Sequence, residues 1–221
     1  MTQSLTGRLH DAFVAYADRV CLRVPDGDDW TYGEVDGLCA QFAGVLRELG
    51  VVSGERLLVQ VDKSPQAVAL YLACLRTGAV YVPINTAYTS AEVEYFLNDA
   101  KPRLFVCRPA DEAALKPVAR EITRDVTVLT LGLAGDGSLI VHADAATACI
   151  EIATPAGSDI AAIVYTSGTT GRSKGAMLTQ ENLLSNALTL LEYWGWRNDD
   201  VLLHALPIFH VHGLFVALHC A

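Results

Sequence analysis

The sequence predicts an α/β fold in which layers of mostly parallel sheet are flanked by helices. Short apolar runs typical of buried strands alternate with amphipathic stretches of helical period along most of the 221 residues. Capping signals mark where three of these helices begin. The chain is 52% hydrophobic and only 19% charged, which allows a sizeable core and excludes a disordered protein.

The first 130 residues predict a regular alternation of helices and strands. Thr31 with Glu34, and Thr89 with Glu92, have the spacing of capping boxes. Ser64 followed by Pro65 predicts another helix start. The predicted elements are a helix carrying Leu9, Phe13 and Tyr16, strands at 20–24, 56–61, 79–82, 103–107 and 126–130, and helices at 31–50, 64–78, 89–98 and 110–122.

The remainder of the chain is less regular. Residues 131–159 are rich in Gly, Ala and Thr and predict a linker or an irregular crossing. The elements predicted after it are a strand at 160–165, a glycine-rich loop, a helix at 181–193, a strand at 201–205 and a turn at 207–213.

The composition limits the possible partners. Twenty-five acidic residues against sixteen Lys and Arg give a net charge of −9, which argues against general binding to nucleic acid or to anionic membranes. No apolar run approaches the length of a membrane span, and the N-terminus lacks the layout of a signal peptide. Six scattered cysteines without a CxxC pair predict reduced, buried thiols and a cytoplasmic protein.

The segment Tyr165-Thr-Ser-Gly-Thr-Thr-Gly-Arg-Ser-Lys-Gly175 predicts a phosphate-binding loop after a buried strand. Glycines permit close backbone approach to an anion, hydroxyls add donors, and a lysine adds a positive charge. The alternative is a flexible surface linker, because linkers are also rich in Gly, Ser and Thr. The candidate phosphate ligands are Thr166, Ser167, Gly168, Thr169, Thr170, Gly171 and Lys174.

This loop is not a Walker A motif, which needs a lysine directly after its last glycine. Here Arg172 and Ser173 separate Gly171 from Lys174. The spacing therefore excludes an ordinary P-loop ATPase or GTPase.

Thr-Ser-Gly-Thr-Thr-Gly-x-x-Lys-Gly resembles the nucleotide-phosphate signature of the acyl-adenylate-forming family, which includes acyl-CoA synthetases, luciferases and nonribosomal adenylation domains. The downstream segment Leu206-Pro-Ile-Phe-His-Val-His-Gly-Leu-Phe215 resembles the second signature of that family. The resemblance runs through nearly the whole chain. It implies that residues 1–221 are the N-terminal part of the large AMP-binding domain.

Three further segments resemble malonyl-CoA synthetases within this family; they are residues 59–65, 83–89 and 185–194. The resemblance implies an ATP-dependent, AMP-forming acid–thiol ligase that converts malonate or methylmalonate to its CoA thioester through an acyl-AMP. It implies ATP, Mg²⁺ and coenzyme A as cofactor and co-substrates, and catalytic roles for Lys174 and His210. A medium-chain or aryl acid is the alternative substrate.

The two histidines of the second signature have a structural alternative, because a histidine near an apolar element is usually a packing residue. The resemblance favours a site role for His210 and leaves His212 as a structural residue. A His-x-His metal site has no visible third ligand.

The resemblance also implies that the Mg²⁺ ligand, the ribose ligand, the cation for a distal carboxylate and a small C-terminal domain belong to a region after Ala221. The 221 residues are therefore expected to be inactive alone, as a truncated piece of the enzyme. The alternative is a non-catalytic remnant of such an enzyme.

Overall fold

A computed structural model describes residues 4–25, 27–166 and 173–221. The helices are α1 (Leu5–Ala15), α2 (Tyr32–Glu48), α3 (Pro65–Thr77), α4 (Ser90–Ala100), α5 (Glu112–Ile122), α6 (Ser138–Ala145), α7 (Gln180–Trp194) and α8 (Leu218–Cys220). The strands are β1 (Val20–Leu22), β2 (Trp30–Thr31), β3 (Arg56–Gln60), β4 (Val80–Pro83), β5 (Leu104–Cys107), β6 (Thr127–Thr130), β7 (Ile160–Thr166) and β8 (Lys174–Thr179). A 3₁₀ turn (Pro109–Asp111) precedes α5, and a π-helical segment (His212–Ala217) precedes α8.

Six strands form the main sheet in the order β6-β5-β3-β4-β7-β8. Neighbouring strands from β6 to β7 are parallel, and β8 joins β7 antiparallel at the edge. β1 and β2 form a separate antiparallel pair. The predicted α/β class with a mostly parallel sheet is confirmed.

The parallel strands of the main sheet are largely buried on both faces, as parallel sheets are when helices cover each side. Alternate residues of β3 point to opposite faces: Leu57 and Val59 join one apolar cluster, and Leu58 joins the other. Helices α2 and α3 contribute to the first cluster, and α4 and α5 to the second. The result is a three-layer arrangement with helices on both faces of the sheet.

The capping signals fulfil their predicted roles. The Thr31 hydroxyl accepts from the amide of Glu34 at 3.1 Å, and the Glu34 carboxylate accepts from the amide of Thr31 at 2.7 Å. The carboxylate accepts from both the amide and the hydroxyl of Thr31, and these two hydrogen bonds lower the pKa of Glu34. The Ser64 hydroxyl caps α3 by accepting from the amide of Ala67 at 3.1 Å, and Gly78 ends the helix in the left-handed conformation at φ +75°.

Residues 131–159 are not wholly irregular, because they contain α6. The hydroxyls of Thr130 and Ser138 each accept from the other residue's amide at 2.9 Å, which fixes the start of this helix. The prediction missed α6 because Gly135 and Gly137 precede it, and both adopt positive φ. After α6 the chain crosses α2, where the backbone amide of Cys149 donates to the carbonyl oxygen of Ala40 at 2.8 Å.

The predicted strand at 201–205 is wrong, because the structure has no strand there. Val201 and Leu203 are 83% and 92% exposed, so no neighbouring strand in the described part of the chain covers them. An apolar run indicates a strand only when a sheet is available to pair with it.

The cysteines agree with the sequence prediction of reduced thiols. All six are free; five are buried, and Cys21 is half-buried. Within the described ranges, no helix is long and apolar enough to cross a membrane.

An ion pair between α2 and α3 holds the crossing segment in place. Arg76 is only 5% exposed and binds Asp36, and its guanidinium also reaches the carbonyl oxygens of Cys149 and Ile150 at 3.4 Å. A paired and hydrogen-bonded charge is the form in which a buried guanidinium is tolerated. Residues 149–150 are therefore fixed against the two helices.

Gly44 is the close-approach point of this crossing, and Gly44→Ala should destabilise the protein. A Cβ at position 44 would lie 2.2 Å from the carbonyl oxygen of Thr147, so backbone must move to admit it. Overpacking of this kind costs about 1–3 kcal/mol. Urea unfolding measures the loss.

Gly37→Ala is the matched control in the same helix, because a Cβ there meets nothing within 4 Å. It should leave stability unchanged or raise it by up to about 1 kcal/mol, since Ala favours a helix over Gly. Equal effects of the two substitutions would contradict the packing explanation.

His219 lies in an aromatic cluster next to the first core cluster. Its ring stacks on Tyr71 at a centroid distance of 5.8 Å, and its Nε2 lies 2.7 Å from the Tyr71 hydroxyl. Phe215 packs at 5.9 Å. Burial lowers the pKa of His219 to about 4, because the imidazolium loses its hydration there.

This lowered pKa predicts a loss of stability in mild acid. An unfolded histidine takes up its proton near pH ~6.5, whereas folded His219 resists protonation until about pH 4. Neutral His219 therefore makes its full contribution to the free energy of unfolding above pH ~6.5, and this contribution declines as the pH falls towards 4. Urea unfolding at several pH values should show this slope.

His219→Phe keeps an aromatic ring and should flatten the slope over this range. His142→Phe, at an exposed position on α6, should keep it. Parallel curves for the wild type and His219→Phe would show that His219 is not the titrating group.

Candidate functional site

Three of the predicted site residues lie in the described part of the chain: Thr166, Lys174 and His210. The other predicted phosphate ligands lie outside the described residues; they are Ser167, Gly168, Thr169, Thr170 and Gly171.

Thr166 and Lys174 face each other as the last pair of the β7–β8 ladder. The sequence analysis placed Lys174 in a loop, whereas the structure makes it the first residue of β8. β8 was missed because its first four residues are exposed, so it shows no buried apolar run. Both side chains are exposed, and the pair is therefore accessible to a ligand.

This pair lies at the carboxyl edge of the parallel sheet, since β7 runs parallel to β4 and ends at Thr166. Ligands of open α/β sheets bind outside the carboxyl ends of the strands. Residues from the other strands meet at the same edge. Asp62 follows β3, Thr86 follows β4, and Arg108 follows β5.

Arg108 links these strand ends. Its Nε donates to Asp111 at 2.6 Å, and its Nη2 donates to the carbonyl of Thr86 at 3.1 Å. Asp62 lies 3.8 Å away as an ion pair. The hydrogen bond to Asp111 raises the pKa of Arg108. The guanidinium of Arg108 is therefore already bound by groups of the protein.

Gln60, at the end of β3, fixes the turn after β4. It is only 1% exposed, and its Nε2 donates to the carbonyls of Asn85 and Tyr88 at 3.0 and 3.2 Å. The loop between β4 and α4 therefore has a set position relative to the sheet.

Lys63 holds residues 204–213, the segment that carries His204, His210 and His212, against the same edge of the sheet. Its Nζ donates to the carbonyl oxygens of His204 and Leu206 at 2.9 and 3.3 Å. The segment is closed by a hydrogen bond from His204 Nε2 to the carbonyl of Gly213 at 2.8 Å. A Cβ on Gly213 would lie 2.1 Å from the carbonyl oxygen of Pro207, so this close approach requires glycine. Sequence reasoning had no signal for these roles of Lys63 and His204.

His210 is exposed on this segment. Its ring stacks on that of His212 with centroids 5.8 Å apart, and its Nδ1 accepts a long hydrogen bond of 3.4 Å from the amide of His212. Among the described residues, no hydrogen bond or ring contact joins His210 to Thr166 or Lys174. The structure thus brings Thr166 and Lys174 together and leaves His210 on a separate segment.

The described residues do not gather a cluster of metal-ligating side chains. No group of three or more His, Cys, Asp or Glu side chains converges in ranges 4–25, 27–166 and 173–221. No metal ligand is therefore assigned to this part of the chain.

The cations at this edge differ in what they can bind. Arg108 is held by carboxylates, and Lys63 is held by backbone carbonyls. Lys174 has no salt bridge within the described part of the chain. Its ammonium is therefore available to an anionic ligand, with the Thr166 hydroxyl beside it as a further donor.

The chain is similar in sequence and structure to several known CoA ligases. The mitochondrial malonate–CoA ligase ACSF3 of Homo sapiens is 32% identical over 190 residues, covering 85% of this chain and 31% of that protein. The oxalate–CoA ligase of Arabidopsis thaliana is 30% identical over 227 residues, covering 98% of this chain and 43% of that protein. The crystal structure of ATP-bound MatB from Rhodopseudomonas palustris matches with 44% identity and a TM-score of 0.93, covering 100% of this chain and 43% of that one.

The chain therefore spans less than half the length of these relatives. Residues 9–221 match the family described as AMP-binding enzyme. Because this match covers nearly the whole chain, the chain belongs to the AMP-binding enzyme family.

Proposed function

We propose that this chain is the phosphate-binding part of an AMP-forming acid–thiol ligase that uses ATP and coenzyme A. The observation that carries the proposal is the pairing of Thr166 with Lys174 at the carboxyl edge of the sheet. This pair flanks the glycine- and hydroxyl-rich stretch that resembles the nucleotide-phosphate signature. The similarity to ATP-bound MatB supports ATP as the nucleotide.

The proposed reaction has two balanced steps. A carboxylate oxygen of the acid attacks the α-phosphorus of ATP, and the bond to the bridging oxygen breaks to release pyrophosphate. The sulfur of coenzyme A, after loss of its proton, then attacks the acyl carbon, and AMP leaves with the electron pair of the C–O bond. Mg²⁺, when bound with the nucleotide, would neutralise phosphate charge.

Each candidate residue has a role in the first step. Lys174 balances charge on the β- and γ-phosphates as pyrophosphate departs, and Thr166 donates to a phosphate oxygen. The residues between them, Ser167, Gly168, Thr169, Thr170 and Gly171, complete the phosphate site. His210 lies beside the acyl group and the adenylate in this proposal.

We propose malonate or methylmalonate as the acid. Two relatives are named as ligases of short dicarboxylates, one of malonate and one of oxalate. A medium-chain or aryl acid is the alternative within the same chemistry. A cytoplasmic location and the lack of nucleic-acid binding stay predictions.

Pyrophosphate exchange into ATP tests the function. The assay is run on the 221-residue chain and on any longer product of the same reading frame, with malonate, methylmalonate, oxalate, octanoate and benzoate. We expect exchange with malonate or methylmalonate in the longer product and none in the 221-residue chain. Exchange only with octanoate or benzoate would overturn the proposed substrate. No exchange with any acid would favour a non-catalytic remnant.

Lys174→Ala in the active protein should lower kcat/KM for adenylation. A charge-assisted hydrogen bond contributes about 1.5–3 kcal/mol, which corresponds to a decrease of about 10- to 150-fold. Lys116→Ala removes an equal charge from α5, where the lysine pairs with Glu112, and should leave kcat/KM unchanged. An unaltered rate in Lys174→Ala would remove Lys174 from the site.

A further inference from the structure

Helix α4 binds both strands next to the Thr166–Lys174 pair. The hydroxyl of Tyr95 donates to the carbonyl oxygen of Ser173 at 2.6 Å, directly before Lys174. The hydroxyl of Tyr165, directly before Thr166, donates to Asp99 at 2.6 Å. One helix thus contacts each strand at the residue adjacent to a candidate phosphate ligand.

Aromatic packing strengthens this connection. The Tyr165 ring lies 4.6 Å from the ring of Phe96, centroid to centroid, and 6.3 Å from that of Tyr95. Across the ladder, Tyr165 pairs with Gly175. A Cβ on Gly175 would lie 3.4 Å from the Tyr165 ring and 2.8 Å from Ile163, so the glycine leaves room for the ring.

The Tyr165 hydroxyl is a permanent donor in this arrangement. Burial, followed by the hydrogen bond to Asp99, raises the pKa of Tyr165. The phenol therefore keeps its proton at neutral pH and is the donor in the contact with Asp99.

α4 is itself firmly placed. The Glu92 carboxylate accepts from the amide of Thr89 at 2.8 Å at the helix start. Val93, Phe96 and Leu97 are buried in the second core cluster. β8, in contrast, pairs only with β7 among the described strands, and its first four residues are exposed. The strand that carries Lys174 thus depends on contacts from outside the sheet.

We propose that Tyr95 and Asp99 are positioning residues that fix Lys174 and Thr166 for the phosphates of ATP. This inference rests on the proposed function. Donors aimed at a developing charge act only when their positions are set beforehand, and small displacements are costly. Tyr95 acts on the strand of Lys174, and Asp99 acts through Tyr165 on the strand of Thr166.

Steady-state kinetics on the active protein tests this assignment. Tyr95→Phe and Asp99→Ala should each raise KM for ATP about three- to tenfold, the range of one lost hydrogen bond. KM for the carboxylic acid should stay unchanged, which a general loss of folding would not produce. Asp99→Asn keeps an oxygen acceptor for Tyr165 and should behave as the wild type.

Tyr88→Phe is the matched control. Tyr88 packs on Phe96 at 5.0 Å in the same aromatic group, and its hydroxyl makes no hydrogen bond to the described residues. It should leave both KM values unchanged. An unchanged KM for ATP in Tyr95→Phe and Asp99→Ala, or an equal rise in Tyr88→Phe, would overturn the proposal.

Amide hydrogen exchange separates this proposal from the reaction itself. Exchange of the β8 amides in residues 174–177 should accelerate about three- to tenfold in Tyr95→Phe and stay unchanged in Tyr88→Phe. This measurement needs no substrate, so it tests whether Tyr95 fixes β8 even if the wild type activates none of the acids tested. Equal exchange in Tyr95→Phe and the wild type would overturn it.

Discussion

The antiparallel pairing of β8 with β7 is the constraint on which the candidate site depends. Because β7 runs with the parallel strands, its last residue, Thr166, lies at their carboxyl edge. The reversal then returns the chain so that Lys174 stands opposite Thr166. In a continuing βα unit the residues after the glycine-rich stretch would begin a helix and point their amides at the ligand. Here a strand replaces that helix, and side-chain donors gain importance.

A second constraint follows from strand order. β6 and β7 are consecutive in sequence but lie far apart in the sheet, with β5, β3 and β4 between them. The connecting segment must therefore pass over the α2–α3 face. There Arg76 binds its carbonyl oxygens, and Gly44 lets its backbone approach α2 closely. Only after this crossing can β7 pair with β4 and complete the edge at which Thr166 lies.

The parallel core and most helices could be predicted from sequence because their signals are local. Strands buried on both faces form continuous apolar runs, and capping boxes such as Thr31 with Glu34 are four residues long. The strand β8 and the lack of a strand at 201–205 could not be predicted from sequence, because strand pairing depends on which strands lie nearby. For the site, the sequence indicated Thr166 and Lys174, whose positions the structure brings together. The tethers from Lys63, Tyr95 and Arg108 join residues distant in sequence, so no local pattern marks them.

The charge of the chain gives these tethers their importance. A protein with a net charge of −9 repels a polyanion at long range, so a phosphate site must be built from a few cations and donors at short range. Two of the cations near the sheet edge, Lys63 and Arg108, are used to hold loops and strand ends in place. Lys174 has no salt bridge within the described part of the chain, so under the proposed function its effect on a phosphate depends on its position. Among the described residues, Lys63 and Arg108 thus serve to fix geometry, and under the proposed function that geometry positions Lys174 for the phosphates.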